Sequence, residues 1–306
     1  MKNSLVHENF GRDGFVILDD IISSQDIMDF QKSFFNILKR IVQEEKTKKV
    51  APSRLIYDCE NCNYLLKEIY SQHPNRITDI QRLASRLPEF FRISSGKALI
   101  NTIKALMKKE DDLPLYPLSN VVVFEFPQIL RTDNESQTSN FHTNWHDDTF
   151  WTIPQSKFIH IWIPLLNSVT SELGPLEVCP GSHKCGAQHQ YEFHPDASYN
   201  YRYGINSDYV KQFKTQSLNV QLGQVLLFGK ELIHRSGTNI SDSLVRMTML
   251  GLFHDASNVT CIPGTPSLKF RKKTPEQWYY ERFDDKSIVP YLTEQLDEEA
   301  IPPTGI

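Results

Sequence analysis

Apolar residues recur at three- and four-residue steps through Ile27, Phe30, Phe34, Ile37, Leu38 and Ile41, the pattern of a helix that buries one face. Ser23 or Ser24 stands ahead of it as N-cap, with Asp26 in the first turn. Before it, Gly14-Phe15-Val16-Ile17-Leu18 is a short apolar run closed by Asp19-Asp20, which predicts a buried strand. Further helices are predicted over Asn63 to Ser71, Arg76 to Leu87 and Ser95 to Lys108, with Pro88 stopping the second of these. After Pro114 and Pro117 the texture changes. Strands are predicted at Val121 to Phe126, Phe158 to Leu166, Leu218 to Gln221, Val225 to Phe228 and Arg246 to Phe253, separated by Gly, Pro and Asn turns. Short strands of this kind predict an antiparallel sandwich or barrel of the jelly-roll type, and helices grouped ahead of them predict helices packed outside the sheet. A last helix is expected from Thr274 through Trp278 to Phe283, followed by an acidic, then Pro-rich tail. The expected organisation is one domain. Its helix-rich part covers about 1–115, the jelly-roll core about 116–260, and the terminal helix and tail about 261–306.

Composition narrows the partners. The chain has 306 residues, 40% hydrophobic and 23% charged, enough for a large core without disulfides or a structural metal. A net charge of −4 offers no general attraction to nucleic acid or anionic membranes. The locally basic run Lys269-Phe270-Arg271-Lys272-Lys273 reads as a solvated loop, with contact to an acidic substrate as the alternative. No window approaches the ~18 apolar residues needed to span a bilayer, and the N-terminus does not read as a signal peptide. Five cysteines, an odd number without a repeating pattern, fit reduced thiols and a cytoplasmic location. Cys59-Glu60-Asn61-Cys62 lacks two further ligands nearby and is read as incidental.

The chemistry concentrates in Asn144-Trp145-His146-Asp147-Asp148-Thr149-Phe150-Trp151. On a strand, His146 and Asp148 share a face with Asn144, while Asp147 points the other way. One imidazole and one carboxylate need a third ligand from another strand. His234, at the close of the apolar run from Val225, is the best candidate, although by chemistry alone His183 competes with it. Two His and one carboxylate on one face of a metal leave three positions open, the arrangement of non-haem Fe(II) oxygenases. Downstream, Arg246 opens an apolar strand. A guanidinium buried there needs an anionic partner, either a structural acid or the carboxylate of a dicarboxylic co-substrate, which Arg grips with two parallel hydrogen bonds. Ser236 could add a hydroxyl donor.

At these residues the chain resembles the phytanoyl-CoA dioxygenase family of Fe(II)- and 2-oxoglutarate-dependent oxygenases. The resemblance opens at Phe10-Gly11-Arg12-Asp13-Gly14-Phe15-Val16-Ile17-Leu18-Asp19-Asp20 and continues through Trp145-His146-Asp147-Asp148. It takes in Leu173-Gly174-Pro175-Leu176-Glu177-Val178-Cys179-Pro180-Gly181-Ser182-His183-Lys184, and ends with His234-x-Ser236 and Arg246. It implies a double-stranded β-helix, a cupin-like jelly roll, with His146, Asp148 and His234 on iron. It implies 2-oxoglutarate on the metal, its far carboxylate held by Arg246 and Ser236, with Trp162 against it; strand parity, apart from the resemblance, sets Asn144 near the other carboxylate. His183 is then a structural loop residue.

The reaction so implied uses dioxygen, turns 2-oxoglutarate into succinate and CO2, and hydroxylates an unactivated C–H bond of a small-molecule substrate. Related halogenases carry a small residue at the carboxylate position, so Asp148 argues for hydroxylation; desaturation or ring formation is open to the same ligands. Family members act on acyl-CoAs, amino-acid derivatives, sugars and natural products. Phe150, Trp151 and the aromatics from Tyr199 to Tyr203 are candidate pocket walls, and the polar stretch from Cys185 to Thr215 is a candidate lid. The alternatives are a cupin-like metal enzyme that does not use 2-oxoglutarate and a non-catalytic binding or sensor module on the same fold.

Overall fold

The computed structural model describes residues 2–45, 56–108, 115–130, 145–148, 158–186, 189–193 and 201–255. Helix α1 (Lys2–Asp13) leads into strand β1 (Phe15–Leu18) through Gly14, whose φ of 85° suits glycine. Helix α2 (Ser24–Glu44) is capped by Ser23, whose hydroxyl accepts from the Asp26 N–H. Helices α3 (Cys59–Gln72), α4 (Arg76–Ala84), α5 (Pro88–Ser94) and α6 (Lys97–Leu106) follow. Two differences from the sequence expectation have simple causes. Helix α3 starts earlier because Asp58 accepts from the Asn61 N–H as N-cap. Pro88 ends the preceding run and also opens α5 at its first position, where its missing N–H costs nothing.

Among the described residues the strands that follow β1 are β2 (Leu115–Glu125), β3 (Phe158–Pro164), β4 (Leu176–Val178), β5 (His189–Phe193), β6 (Tyr201–Ile205), β7 (Gln216–Leu218), β8 (Val225–Gly229), β9 (His234–Ser236) and β10 (Arg246–Asp255). All their pairings are antiparallel. The large sheet runs β1-β8-β3-β10-β2, a small one β7-β4-β9, and β5 pairs with β6. The expected polar lid between Cys185 and Thr215 therefore carries a two-stranded sheet.

Alternation along the large sheet sorts its side chains onto two faces. One face presents Ile159, Ile161, Ile163, Leu227, Met247 and Met249 to the apolar faces of α2, α3 and α6. Gln31 on α2 donates to the Leu165 carbonyl at 2.8 Å, and Asn63 on α3 accepts from the Val245 N–H at 2.7 Å. The helices thus satisfy backbone groups where β3 ends and β10 begins. The opposite face meets the small sheet, and Trp162, Leu226 and Phe228 pack there against Leu176, Val178 and Leu218. A row of inward residues crosses all five strands: Ile17, Leu226, Trp162, Leu250 and Val121.

At the end of the β4–β9 pair in the small sheet, the backbones of Gly174 and Gly237 pack directly against one another. A Cβ on Gly174 would stand 2.4 Å from the Gly237 carbonyl oxygen, and Gly174 has φ +68°. Gly174→Ala combines a steric clash with a strained backbone, and is expected to destabilise by more than about 2 kcal/mol. Urea unfolding of the purified variant checks this; an unchanged midpoint would show that the Gly174–Gly237 contact can open at no cost.

Candidate metal centre and anion pocket

His146 does not lie on a continuous strand. It forms one antiparallel bridge with His234, in which the His146 N–H donates to the His234 carbonyl at 3.0 Å and the His234 N–H donates back at 2.8 Å. The Asp148 N–H then donates to the Lys230 carbonyl at 2.9 Å. The side chains of His146, Asp148 and His234 are all buried, and one ligand atom from each falls within 4.8 Å of the others. His234 opens β9 after a turn rather than closing the run from Val225, and Ser182 and Cys179 position it. The Ile233 N–H donates to the Ser182 hydroxyl at 2.9 Å, and the Cys179 N–H to the Ile233 carbonyl at 2.9 Å. The Pro-Gly-Ser-His segment thus grips the chain one residue ahead of a proposed ligand. His183 turns the other way: its Nε2 lies 3.2 Å from the Gly11 carbonyl oxygen and its ring covers Gly14.

The donor set suits a divalent metal. His234 Nδ1 lies 2.8 Å from the Leu232 carbonyl oxygen. That contact requires the proton on Nδ1 and leaves the Nε2 lone pair for a metal. Burial, with His146 beside it, pushes the His234 imidazole down to about 4, so the ring stays neutral at ordinary pH. Burial acts to raise the Asp148 carboxyl, but the imidazoles of His160, His234 and His146 outweigh it and hold it well below the usual carboxylate range. The chain therefore presents a neutral imidazole at His234 and an ionised carboxylate at Asp148, with the His146 ring beside them. Asp147 is buried as well but is not part of this set.

His160 is a residue that sequence reasoning missed. It sits on β3 with its ring stacked on Phe228 at 4.6 Å, and its Nε2 lies 2.8 Å from Asp148 Oδ2 with the ring turned off a straight hydrogen-bond line. The signal was available, since His160 shares the parity of Trp162 on an otherwise apolar strand. Further along the same face, Phe158 stacks on His254 at 4.9 Å, and the Lys230 ammonium lies 5.9 Å from the Phe158 ring centre.

Arg246 is buried on the same inner face. Its Nη1 donates to the Gly174 carbonyl and reaches the Gly237 carbonyl at 3.4 Å; Nη2 lies 3.7 Å from Glu125 Oε2; and Cζ is 6.0 Å from the Trp162 ring centre. The structural-acid partner considered from sequence is thus present, and Trp162 does flank Arg246. Ser236 shares the inward face of β9 with His234, opposite Leu176. Thr248, two residues beyond Arg246, has a buried hydroxyl with no hydrogen-bond partner. Asn144, Phe150, Trp151 and Tyr199 lie outside the described residues, as do the Lys269 to Lys273 run and the C-terminal helix and tail. Among the described residues, no helix is long and apolar enough to cross a membrane.

Two expectations follow. Replacing His160 by Ala is expected to weaken metal binding by roughly 10- to 100-fold, as loss of an outer partner of a ligand does. Competition with a chelating indicator measures it, and unchanged affinity would mean that His160 does not hold Asp148. Burial, with His160 and Lys230 nearby, pushes His254 down from 6.5 to about 4. The unfolded chain then binds more protons through that window, so stability is complete above it and is lost as pH falls through it. In the metal-free protein, unfolding midpoints at about pH 7 and about pH 5 should diverge, and less so in His254→Gln. Equal divergence in both would remove His254 from the account.

A curated relative from Caenorhabditis elegans, the phytanoyl-CoA dioxygenase domain-containing protein 1 homolog, is 22% identical over 263 residues, covering 78% of this chain and 86% of its own. Among solved structures, AviO1 from Streptomyces viridochromogenes Tue57 matches with a TM-score of 0.50 and 16% identity over 86% of this chain and 98% of that one. The epimerase SnoN, in complex with Fe3+, alpha ketoglutarate and nogalamycin RO, matches with a TM-score of 0.51 and 12% identity over 84% of each chain. Both likenesses concern the fold, which is the double-stranded β-helix with flanking helices. The family model for phytanoyl-CoA dioxygenase (PhyH) matches residues 10–248, so the chain belongs to the phytanoyl-CoA dioxygenase family.

Proposed function

We propose that this chain is an Fe(II)- and 2-oxoglutarate-dependent dioxygenase that hydroxylates an unactivated C–H bond of a small-molecule substrate. The observation that carries the reading is the meeting of His146, Asp148 and His234 in one buried site on the sheet face that also bears Arg246. Family membership supports it. When bound there, iron, 2-oxoglutarate and dioxygen supply an oxidation in which one oxygen atom enters succinate, CO2 is released and the other oxygen enters the substrate.

The chain's own residues have separate tasks. His146, Asp148 and His234 hold the metal and leave an open side. Along β3 the His160 and Trp162 rows are about 7 Å apart by strand geometry. A five-carbon diacid has the length to run from the metal toward the guanidinium beside Trp162. Arg246 and Ser236 would bind its far carboxylate, and the unpartnered Thr248 hydroxyl adds a donor on that wall. Trp162, Leu226 and Leu250 make the wall between them apolar.

Asp148 favours oxygen transfer to the substrate over transfer of a halide, because no ligand position is given up. SnoN, of the same fold, is an epimerase. Other outcomes of the same hydrogen removal are therefore distinguished by product: hydroxylation adds one oxygen atom, desaturation removes two hydrogens, and epimerisation leaves the composition unchanged. One observation favours the cupin-like alternative without 2-oxoglutarate, namely that Glu125 already lies beside Arg246.

Protein loaded with Fe(II) is expected to convert 2-oxoglutarate to succinate in air, and His146→Ala is expected to lower turnover by at least about 100-fold. Arg246→Lys retains a cation beside Glu125 but loses the planar fork. It is expected to raise the KM for 2-oxoglutarate roughly tenfold or more with iron affinity little changed. Succinate assays with a broad substrate panel, together with metal titration, decide this. A wild-type protein that binds iron yet never consumes 2-oxoglutarate would sink the reading, and parallel loss of iron and co-substrate in Arg246→Lys would remove Arg246 from its role.

A further inference from the structure

The bridge that joins His146 to His234 has a second row of side chains beside it. Antiparallel register puts Trp145 opposite Arg235, one step along from the bridge, and Arg235 is in turn opposite Glu177 of β4. Side chains alternate faces. Where His146 and His234 turn inward, Trp145, Arg235 and Glu177 share the outer face of the small sheet. They touch there: the Arg235 guanidinium carbon lies 4.7 Å from the Trp145 ring centre, and Arg235 Nε donates to Glu177 Oε2 at 2.7 Å. The Trp145 ring also packs against the cluster of Cys179, Ile205, Val210 and Ile233. The Trp145 carbonyl accepts from the Ile205 N–H at the end of β6, at 2.6 Å.

This row bears on the metal centre through the backbone. His146 and His234 form the hydrogen-bonded pair of the bridge. An antiparallel ladder places no backbone bond between the members of the next pair, Trp145 and Arg235, so side-chain contact sets how closely the two chains run there. Any shift of Trp145 is carried into His146, the next residue, and a ligand must be held within about 0.5 Å of its productive place. Arginine suits the position, because a planar guanidinium stacks on an indole and still offers an edge N–H to a carboxylate. The Arg235 side chain is 43% exposed and that of Glu177 26%, so their ion pair adds little to folding. What the row supplies is alignment of the segment that carries His146.

We propose that Arg235 is a positioning residue for the metal centre. Bound to Glu177 and stacked on Trp145, it clamps the outer side of the segment whose inner side presents the His146 imidazole. This rests on the reading that His146, Asp148 and His234 hold a metal, and it adds a part of the chain that does not touch that metal.

The test is anaerobic calorimetric titration of the metal-free protein with Fe(II). Arg235→Ala should bind Fe(II) roughly tenfold more weakly than wild type. Trp145→Leu should lose about as much, whereas Trp145→Phe, which restores a ring face, should stay within about threefold of wild type. The double variant of Arg235→Ala and Trp145→Leu should lose little more than either single one, since both remove the same contact. Ile103→Val, a truncation in the helix-facing core, also lowers the urea midpoint but should bind Fe(II) as wild type does. Unchanged affinity in Arg235→Ala overturns the proposal. So does equal loss in Ile103→Val, or a Trp145→Phe variant no better than Trp145→Leu. The two Trp145 variants decide alone if Arg235→Ala does not fold. If His146→Ala loses Fe(II) while Arg235→Ala keeps it, only this inference fails; if His146→Ala binds Fe(II) as wild type does, the metal reading fails and this inference with it.

Discussion

The site depends on one reciprocal exchange of backbone hydrogen bonds, between His146 and His234. Each residue donates its N–H to the other's carbonyl, so the two proposed ligands are tied to one another before any metal arrives. An extended stretch next to a single bridge is poorly determined by itself. Here the Asp148 N–H closes on the Lys230 carbonyl, and on the other side Ser182 and Cys179 hold Ile233. These few bonds fix three side chains that come from two distant parts of the chain. The ring planes follow, since Leu232 orients the His234 imidazole and Phe228 packs against it at 4.9 Å. A metal then meets a set of donors whose positions are already constrained, which reduces the entropy lost on binding.

The large sheet makes this possible by having two unlike faces. Its helix-facing side is almost wholly aliphatic and aromatic, and provides the burial that holds the domain together. Its inner side carries His160, Trp162, Thr248, His254, Arg246 and Glu125 among apolar neighbours. Buried polar groups are costly unless partnered, so an inner face of this composition contributes less to stability than a purely apolar one of the same area. The difference is the usual sign of a surface retained for binding. The helices compensate from behind, through their packing and through Gln31 and Asn63, which satisfy the strand ends beneath the pocket.

Much of this was legible in the sequence, and the misses are instructive. The period of helix α2, the change to short strands after Pro117 and the pairing of His146 with Asp148 followed from spacing and residue type, whereas the choice of His234 over His183 rested on the family resemblance. The reason offered for the grouping differs from what the structure contains. Strand parity put His146 and Asp148 on one face, whereas a bridge and a separate backbone bond to Lys230 hold them. His160 was overlooked because a histidine within Phe158-Ile159-His160-Ile161-Trp162 resembles core; its parity with Trp162 hinted at the inner face, and its contact with Asp148 gives that place a meaning. Glu125 was beyond reach for a stronger reason. A one-residue change in register reverses the face of every side chain on a strand, and nothing local to β2 states its register with β10.

For Arg246, the structural role seen here and the proposed role in ligand binding need not be alternatives. As a brace it joins the large sheet to the small one, with the Gly174 and Gly237 carbonyls on one side of its guanidinium and the carboxylate of β2 on the other. A buried guanidinium without such partners would be strongly destabilising, so a fold that keeps one for ligand binding must also satisfy it when the ligand is absent. Glu125 meets that requirement.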